Sequence, residues 1–163
     1  DIHQCDGTFF VDSVLRLHVE NGKISYAITS IPSFHKRYAQ VDIDYADYMD
    51  QPDKRIFFAH ADGKLAGQII LRKNWNRFAY VQDIAVDIKF RKLGVGRALM
   101  AHAIQWAKGK NLPGIMLETQ NNNVGACQLY ERLGFQLGGF DALLYKGIVS
   151  DNEEIALYWY LIF

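Results

Sequence analysis

The sequence predicts a mixed α/β fold in one domain spanning residues 1–163, and three observations predict it. Segments with the alternating apolar pattern of strands are interleaved with two segments of helical spacing. Two turn pairs, Asn21-Gly22 and Asp62-Gly63, each separate two strand-like segments. A basic glycine turn at 91–96 joins a long apolar strand directly to a helix. The 50% hydrophobic content is ample for a single core in a chain of this length.

Both turn pairs predict β-hairpins, because Asn-Gly and Asp-Gly accept the positive φ values of a tight hairpin turn. The first hairpin pairs Val14–Val19 with Lys23–Ile28, and the second pairs Ile56–His60 with Lys64–Leu71. Between them lies a polar, aromatic and acidic segment, Ile31–Asp53, within which we expect a helix.

The acidic segment carries five carboxylates interleaved with tyrosines. They are Asp42, Asp44, Asp47, Asp50 and Asp53, with Tyr45 and Tyr48 among them. Such a set can attract a cationic ligand and stack on it, but a solvated helix face explains a run of charges equally well. On the first interpretation, Asp42, Asp44 and Tyr45 are candidate substrate contacts.

The loop Arg72–Arg77 and the strand Phe78–Ile88 follow the second hairpin. Trp75 in the loop is either a substrate rim or a lid packed on the core. Asp83 is the one charge in the middle of the strand, and a buried charge needs a partner or a wet cleft. It therefore either serves a substrate amine or pairs with a structural arginine.

The C-terminal half predicts a helix, a strand, a second helix and two further strands. The first helix is Val95–Lys108, with core residues Leu99, Ala103, Trp106 and Ala107. The strand Ile115–Thr119 follows, and then a second helix that is capped by Asn122 or Asn123 and continues to Leu133, where Gly134 ends it. The two last strands are Gln136–Tyr145 and Glu153–Ile162. The aromatic end of the last strand, IALYWYLIF, would pair with another chain if its edge were open.

The glycine turn predicts an anion site. The first N–H groups of a helix lack internal partners and carry the positive end of the dipole, so they suit a phosphate. Gly94 and Gly96 permit positive φ and close approach, while Arg91, Lys92 and Arg97 add charge. A dinucleotide fingerprint and a Walker loop are both excluded, because Leu99 stands where the former needs a small residue and no GK pair has the latter's upstream glycine.

Charge and composition argue against several other classes. The net charge is zero, with eighteen basic and eighteen acidic residues, so no nucleic-acid partner is expected. Cys5 and Cys127 form no CxxC pair and the five histidines show no ligand spacing, so we expect a reduced cytoplasmic protein without a metal. No apolar run approaches the ~20 residues that cross a bilayer, so no membrane partner is expected either.

Two motifs in order carry a family resemblance. Arg91-x-x-Gly94-x-Gly96 and the segment NxxAxxLYxxLGF from Asn123 to Phe135 resemble the GNAT superfamily of N-acetyltransferases. The stretches HKRY, FFAHADGKLAGQIILRKNWN and YVQDIAVD extend the resemblance over nearly the whole chain to the streptothricin acetyltransferases. The resemblance implies a GNAT fold, with a mostly antiparallel central sheet splayed at the acetyl-CoA site and flanked by helices.

The resemblance also implies a reaction, which is direct acetyl transfer from acetyl-CoA to an amine, here the β-lysine amine of streptothricin, giving antibiotic resistance. Tyr130 would protonate the departing thiolate, and Asp83 or Glu118 would accept the amine proton. Tyr80 lies where a base is also expected and is a further candidate substrate contact. The residues that the resemblance assigns to acetyl-CoA are Ile84, Ala85, Val86, Arg91, Lys92, Leu93, Gly94, Val95, Gly96, Arg97 and Asn123.

Several alternatives stay open from the sequence alone. A polyamine or a protein amine would fit the same chemistry, and a non-catalytic acetyl-CoA sensor would keep the binding site. An acyl-enzyme on Cys127 is disfavoured, because a cysteine at an apolar helical position is usually packing. The chain is expected to be a monomer or a homodimer, and Ile88 departs from the proline that many relatives have before the phosphate turn.

Overall fold

The structure is a computed structural model that describes residues 5–39, 43–148 and 153–163. Its regular elements are the strands β1 (Phe9–Glu20), β2 (Lys23–Lys36), β3 (Lys54–Ala61), β4 (Lys64–Lys73), β5 (Ala79–Val86), β6 (Gly114–Gln120), β7 (Gln136–Asp141) and β8 (Ala156–Ile162), the helices α1 (Val95–Gly109) and α2 (Val124–Arg132), and short 3-10 helices at Tyr45–Tyr48 and Ile88–Phe90.

The strands form two sheets. β1 and β2 make a two-stranded sheet, and the other six have the order β3-β4-β5-β6-β8-β7. The pairs β3/β4, β4/β5 and β7/β8 are antiparallel. From β5 onward the order strand, helix, strand, helix, strand, strand agrees with the sequence prediction of a mixed α/β fold.

The chain divides into two compact units. The first contains the described residues of Asp1–Phe9, Arg37–Met116 and Ile162–Phe163, and the second contains those of Phe10–Lys36 and Leu117–Leu161. Each unit draws on separate parts of the sequence. The single domain over 1–163 stays a prediction.

Both predicted hairpins are confirmed. In the first, Asn21 and Gly22 have φ values of 49° and 72°, and in the second Asp62 and Gly63 have values of 50° and 71°. Two successive positive φ values are the mark of a type I′ turn, whose twist matches that of the flanking strands.

In the first unit, α1 packs on β4 and β5 through a close approach at Gly67. A Cβ built on Gly67 would lie 2.8 Å from the carbonyl oxygen of Ala85, 3.0 Å from Val95 Cγ1 and 3.1 Å from Leu99 Cδ1. The buried face of the helix consists of Leu99, Met100, Ala103 and Ala107. Trp106 is only half-buried, so its prediction as a core residue was wrong and Met100 takes that role.

In the second unit, Asn121 ties β1 to the segment that leads into β8. Its backbone N–H donates to Ile155 O at 3.0 Å, and its carbonyl accepts from Leu15 N at 2.8 Å. Its side chain repeats both links, with Oδ1 accepting from Ile155 N at 3.0 Å and Nδ2 donating to Leu15 O at 3.3 Å. A buried amide with all these partners fixes the chain at the end of β6.

The helix expected within Ile31–Asp53 is present only as a short 3-10 helix. β2 continues through Pro32 to Lys36, and the one helical piece among the described residues of this segment is the 3-10 helix Tyr45–Tyr48. A proline is tolerated in β2 because each strand of a two-stranded sheet has an unpaired edge.

The strand ends near the C-terminus also differ from the prediction. β7 ends at Asp141 rather than Tyr145, because Asp141 Oδ1 accepts hydrogen bonds from the backbone N–H groups of Leu143 and Leu144 and so closes a turn. β8 begins at Ala156 and lies between β6 and β7. Because it is paired on both sides, its edge is not open to another chain.

The Gly67 contact gives a test of how α1 is held. We expect Gly67→Ala to lower the free energy of unfolding by about 1–3 kcal/mol, because the added methyl meets backbone that cannot move aside. Gly109→Ala is the matched control, since nothing lies within 4 Å of its Cβ position. Urea unfolding of both variants decides the matter, and equal stability would contradict the packing described.

Candidate active site

The N-terminus of α1 has the features of an anion site. Gly94 is its N-cap with φ 85°, and no side chain caps the helix. The first turn contains no acidic residue. The first helical hydrogen bond of α1 runs from Ala98 N–H to Gly94 O at 3.0 Å. The N–H groups of Val95, Gly96 and Arg97 come before it and have no acceptor within the helix. They are therefore the donors that a phosphate would meet.

The two glycines of the turn behave differently. Gly94 takes the left-handed conformation that the sequence suggested, but Gly96 lies inside the first turn of α1. Positive φ occurs instead at Lys92, at 63°. Lys92, Leu93 and Arg97 are exposed, so the two charged side chains are accessible at the turn.

The segment before the turn is anchored from behind. Arg91 Nε donates to Val86 O at 3.3 Å, which leaves the guanidinium half-buried. Burial lowers the pKa of Arg91, while the nearby Asp6 and Asp87 act in the opposite direction. Arg91 therefore holds the turn to the end of β5 as well as adding positive charge.

Ile88 is explained by the same anchoring. Its backbone N–H donates to Asp6 O at 3.0 Å, a bond that proline lacks the hydrogen to make. Asp87 accepts from Lys89 N at 2.9 Å and from Asp6 N at 3.1 Å, and so caps the 3-10 helix that leads into the turn.

β5 carries a bulge beside its carboxylate. Ile70 pairs with Asp83 and Leu71 with Val81, which leaves Gln82 as the extra residue. The amide of Gln68 donates to Asp83 Oδ2 at 2.8 Å, so among the described residues the partner of Asp83 is an amide rather than the arginine considered above. Burial raises the pKa of Asp83, and the Gln68 bond opposes that shift.

The tyrosines of the acidic segment face β5. Tyr48 donates to Gln82 Oε1. The Tyr45 hydroxyl is buried and has no hydrogen-bond partner among the described residues. Burial raises the pKa of Tyr45, and the charge of Asp83 raises it further. The structure therefore brings Tyr45 and Asp83 into one neighbourhood, away from a purely solvated face.

The carboxylates of this segment have local structural partners. Asp44 accepts from Ala46 N at 2.9 Å and caps the 3-10 helix, while Asp47 and Asp53 lie 3.9 Å and 3.8 Å from the ammonium groups of Lys54 and Lys73. Asp42 lies outside the described residues. A role for Asp42, Asp44 or Tyr45 in substrate binding stays a prediction.

Trp75, in the loop before β5, and Tyr80, at the start of β5, have separate environments. Trp75 is 90% exposed, which excludes a lid packed on the core. Tyr80 lies under the guanidinium of Arg72, whose carbon is 5.0 Å from the ring centroid. The role of Tyr80 toward a substrate stays a prediction.

In the second unit, Glu118 on β6 is a carboxyl with an unusual environment. Burial raises its pKa from 4.5 to about 7. The hydroxyl of Tyr145 donates to Glu118 Oε1, and none of the ion pairs formed by the described residues includes Glu118. A carboxyl that titrates near neutral pH can accept a proton and release it again.

Asn123 and Tyr130 lie on α2. Asn123 caps the helix, as predicted, with Oδ1 accepting from Ala126 N at 3.3 Å, and Gly134 ends the helical segment with φ 91°. Tyr130 follows seven residues later, two turns along the same face. It is 4% exposed, and its ring centroid lies 5.7 Å from that of Phe135 and 6.3 Å from that of Trp159.

The thiols do not favour covalent catalysis. Cys5 and Cys127 are both free and buried, and burial raises the pKa of Cys127 to about 12. A thiol of this kind supplies almost no thiolate at neutral pH. The described ranges hold no group of three His, Cys, Asp or Glu side chains suited to a metal. They also contain no helix with the length and apolar character needed to span a membrane.

The predicted site residues fall in both units. The turn at 91–97, Ile84–Val86, Tyr80 and Asp83 belong to the first, whereas Glu118, Asn123 and Tyr130 belong to the second. Sequence reasoning missed Gln68 and Tyr145, the partners of the two carboxylates. A polar residue inside an apolar strand was a signal for Gln68, but nothing local marked Tyr145.

Comparison with known proteins gives concordant matches. Residues 24–135 match the family described as the acetyltransferase (GNAT) family. The chain is similar to streptothricin acetyltransferase A of Bacillus subtilis, with 39% identity over 86% of this chain and 81% of that protein. It is also similar to a crystal structure assigned as a streptothricin acetyltransferase from Bacillus anthracis in complex with acetyl coenzyme A, with TM-score 0.93, 48% identity and coverage of 98% and 91%. A nourseothricin acetyltransferase structure gives TM-score 0.82 at 35% identity, covering 99% and 90%.

The raised pKa of Glu118 makes a prediction about stability. In the folded chain the pKa of Glu118 is about 7, compared with 4.5 for an unperturbed carboxyl. The folded state then binds the extra proton between these values, so the contribution of Glu118 to stability falls as pH rises from 4.5 to 7.

Glu118→Gln removes this titration, so we expect it to stabilise the chain relative to wild type more at pH 8 than at pH 5. Urea unfolding of both proteins at the two pH values measures the difference. A difference between the two proteins that is constant with pH would show that Glu118 is not perturbed.

Proposed function

The chain belongs to the GNAT family of acetyltransferases, and on that premise we propose that it transfers an acetyl group from acetyl-CoA to the β-lysine amine of streptothricin, and so confers resistance to that antibiotic. The observation that carries the proposal is the similarity, over nearly the whole chain, to proteins named as streptothricin acetyltransferases. We place the reaction in the cytoplasm, since both thiols are free and acetyl-CoA is an intracellular metabolite.

The start of α1 supports acetyl-CoA as the acetyl donor. Its uncapped N–H groups and the exposed side chains of Lys92 and Arg97 suit the pyrophosphate, because donors and positive charge lie in the same turn. We assign the backbone of Ile84–Val86 and the side chain of Asn123 to the pantetheine arm. A similar structure contains acetyl coenzyme A, which supports acetyl-CoA as the donor.

Amine activation requires a base, since a Lys-like amine has a pKa of roughly 10.4 and carries a proton at neutral pH. We assign this task to Glu118, because its pKa of about 7 suits proton exchange at neutral pH. Asp83 is left with a binding role toward the substrate ammonium, together with Tyr45 beside it. The substrate then enters as a cation and reacts as a neutral amine.

The transfer itself forms a C–N bond and breaks the C–S bond of the thioester. The amine nitrogen attacks the acetyl carbonyl, its protons pass to Glu118 and solvent, and the thiolate of CoA leaves. As the C–S bond breaks, Tyr130 donates its phenolic proton to the departing sulfur, which makes CoA a better leaving group, and the tyrosinate then regains a proton from solvent. The buried thiol of Cys127 takes no part, so the transfer is direct within a ternary complex.

Substrate identity is tested by CoA release from acetyl-CoA in the presence of streptothricin, spermidine or a lysine peptide. We expect turnover with streptothricin, and a kcat at least about tenfold lower in Tyr130→Phe because the leaving thiolate loses its proton donor. Tyr26→Phe is a matched control, since Tyr26 donates to Glu131 Oε2 at 2.7 Å in an exposed position. Turnover with another amine instead would contradict streptothricin as the substrate. Binding of CoA without any turnover would favour a non-catalytic acetyl-CoA sensor.

The phosphate turn is tested by Gly94→Ala. Nothing lies within 4 Å of the added methyl, so its effect comes from the positive φ, which costs an alanine about 1–2 kcal/mol. We expect the KM for acetyl-CoA to rise about tenfold with little change in kcat. Gly109→Ala serves as the control, and an unchanged KM in Gly94→Ala would place the cofactor elsewhere.

A further inference from the structure

The segment 142–148, which follows β7, contains one buried residue. Ala142, Leu143, Leu144, Lys146, Gly147 and Ile148 are exposed, whereas Tyr145 is 8% exposed. A tyrosine inserted alone from a surface segment needs a partner for its hydroxyl, because an unbonded buried hydroxyl is costly.

Local hydrogen bonds hold this segment in shape. Asp141 Oδ1 accepts from Leu143 N at 2.7 Å and from Leu144 N at 3.0 Å. Two further backbone bonds of 3.0 Å join Lys146 N to Leu143 O and Ile148 N to Tyr145 O. The turn is therefore closed on both sides of Tyr145, which fixes the position from which the phenol points inward.

The phenol is bonded to the carboxyl assigned above as the base. Tyr145 donates to Glu118 Oε1, and both residues belong to the second unit. Because Oε1 accepts this hydrogen bond, we expect Oε2 to take the proton from an ammonium group. A donor on one oxygen restricts rotation of the carboxyl and favours its charged form.

We infer that Tyr145 is a positioning residue for Glu118, orienting its carboxylate and favouring the ionised form that accepts the substrate proton. The inference rests on the proposed function. The proton passes from the substrate ammonium to the carboxylate and gives a neutral amine and a carboxylic acid, while Tyr145 keeps its own proton throughout.

Burial is the cause of the raised pKa of Glu118. β6 has no other ionisable side chain. The strands beside β6 carry Tyr80 and Asp83 on β5 and Tyr158 and Tyr160 on β8, and Asp141 and Lys146 lie beside Tyr145. Lys36 on β2 donates to Gln120 at the end of β6.

The test is Tyr145→Phe, with Tyr26→Phe as the matched control that also removes a Tyr–Glu hydrogen bond. One readout is the titration of the Glu118 carboxyl, followed by carbon NMR and identified by its absence in Glu118→Gln. The other is the pH dependence of kcat/KM. We expect both the carboxyl midpoint and the acid limb to move to higher pH by about one unit in Tyr145→Phe, with the rate recovering above the new limb.

Two outcomes would overturn the inference. An unmoved carboxyl midpoint overturns it, and so does a moved midpoint with an unmoved acid limb, since the bond would then be structural only. Asp141→Ala is a second variant in case Tyr145→Phe misfolds. It keeps the phenol but opens the turn, and we expect it to move the carboxyl midpoint and the acid limb in the same direction by a smaller amount. Absence of turnover in the wild type would overturn the proposed function instead. The carboxyl titration needs no turnover, so it distinguishes that result from failure of the inference.

Discussion

A carboxyl buried without an ion-pair partner is the constraint on which the proposed chemistry depends. Glu118 on β6 loses its water on folding, and its pKa rises to about 7 because the described residues supply a phenol rather than a cation to oppose the cost. Asp83 on β5 is in a comparable position, with an amide as its partner. Both environments keep a carboxyl able to exchange protons or bind an ammonium, whereas an arginine would fix it as a permanent anion.

The cofactor turn depends on a different kind of constraint, which is backbone approach. Gly67 lets Val95 and Leu99 rest against β4, and Arg91, Asp87 and Asp6 hold the chain that leads from β5 into the turn. The helix therefore begins at a defined place with Gly94 as its cap and no side chain occupying its donors. Pre-organised donors of this kind bind an anion without the cost of ordering a loop.

Local chemistry explains what the sequence could predict. The hairpin turns, the start of α1, the cap at Asn123 and the stop at Gly134 each depend on residues within one turn of the feature, and all were predicted correctly. Of the helix expected in 31–53, the described residues form only the 3-10 helix Tyr45–Tyr48, and cross-strand pairing, a non-local effect, extends β2 to Lys36. The Tyr145–Glu118 contact and the four bonds of Asn121 join residues far apart in sequence, and no pattern within a window reports them. The interior place of β8 likewise depends on topology.

The central claim is that one amine of streptothricin receives the acetyl group of acetyl-CoA. The most direct measurement is the structure of the product, determined by tandem mass spectrometry and NMR after incubation of the chain with streptothricin and isotopically labelled acetyl-CoA. We predict a single product that carries one labelled acetyl group on the β-lysine amine. Label released as free acetate, or attached at any other position of the antibiotic, would contradict the account.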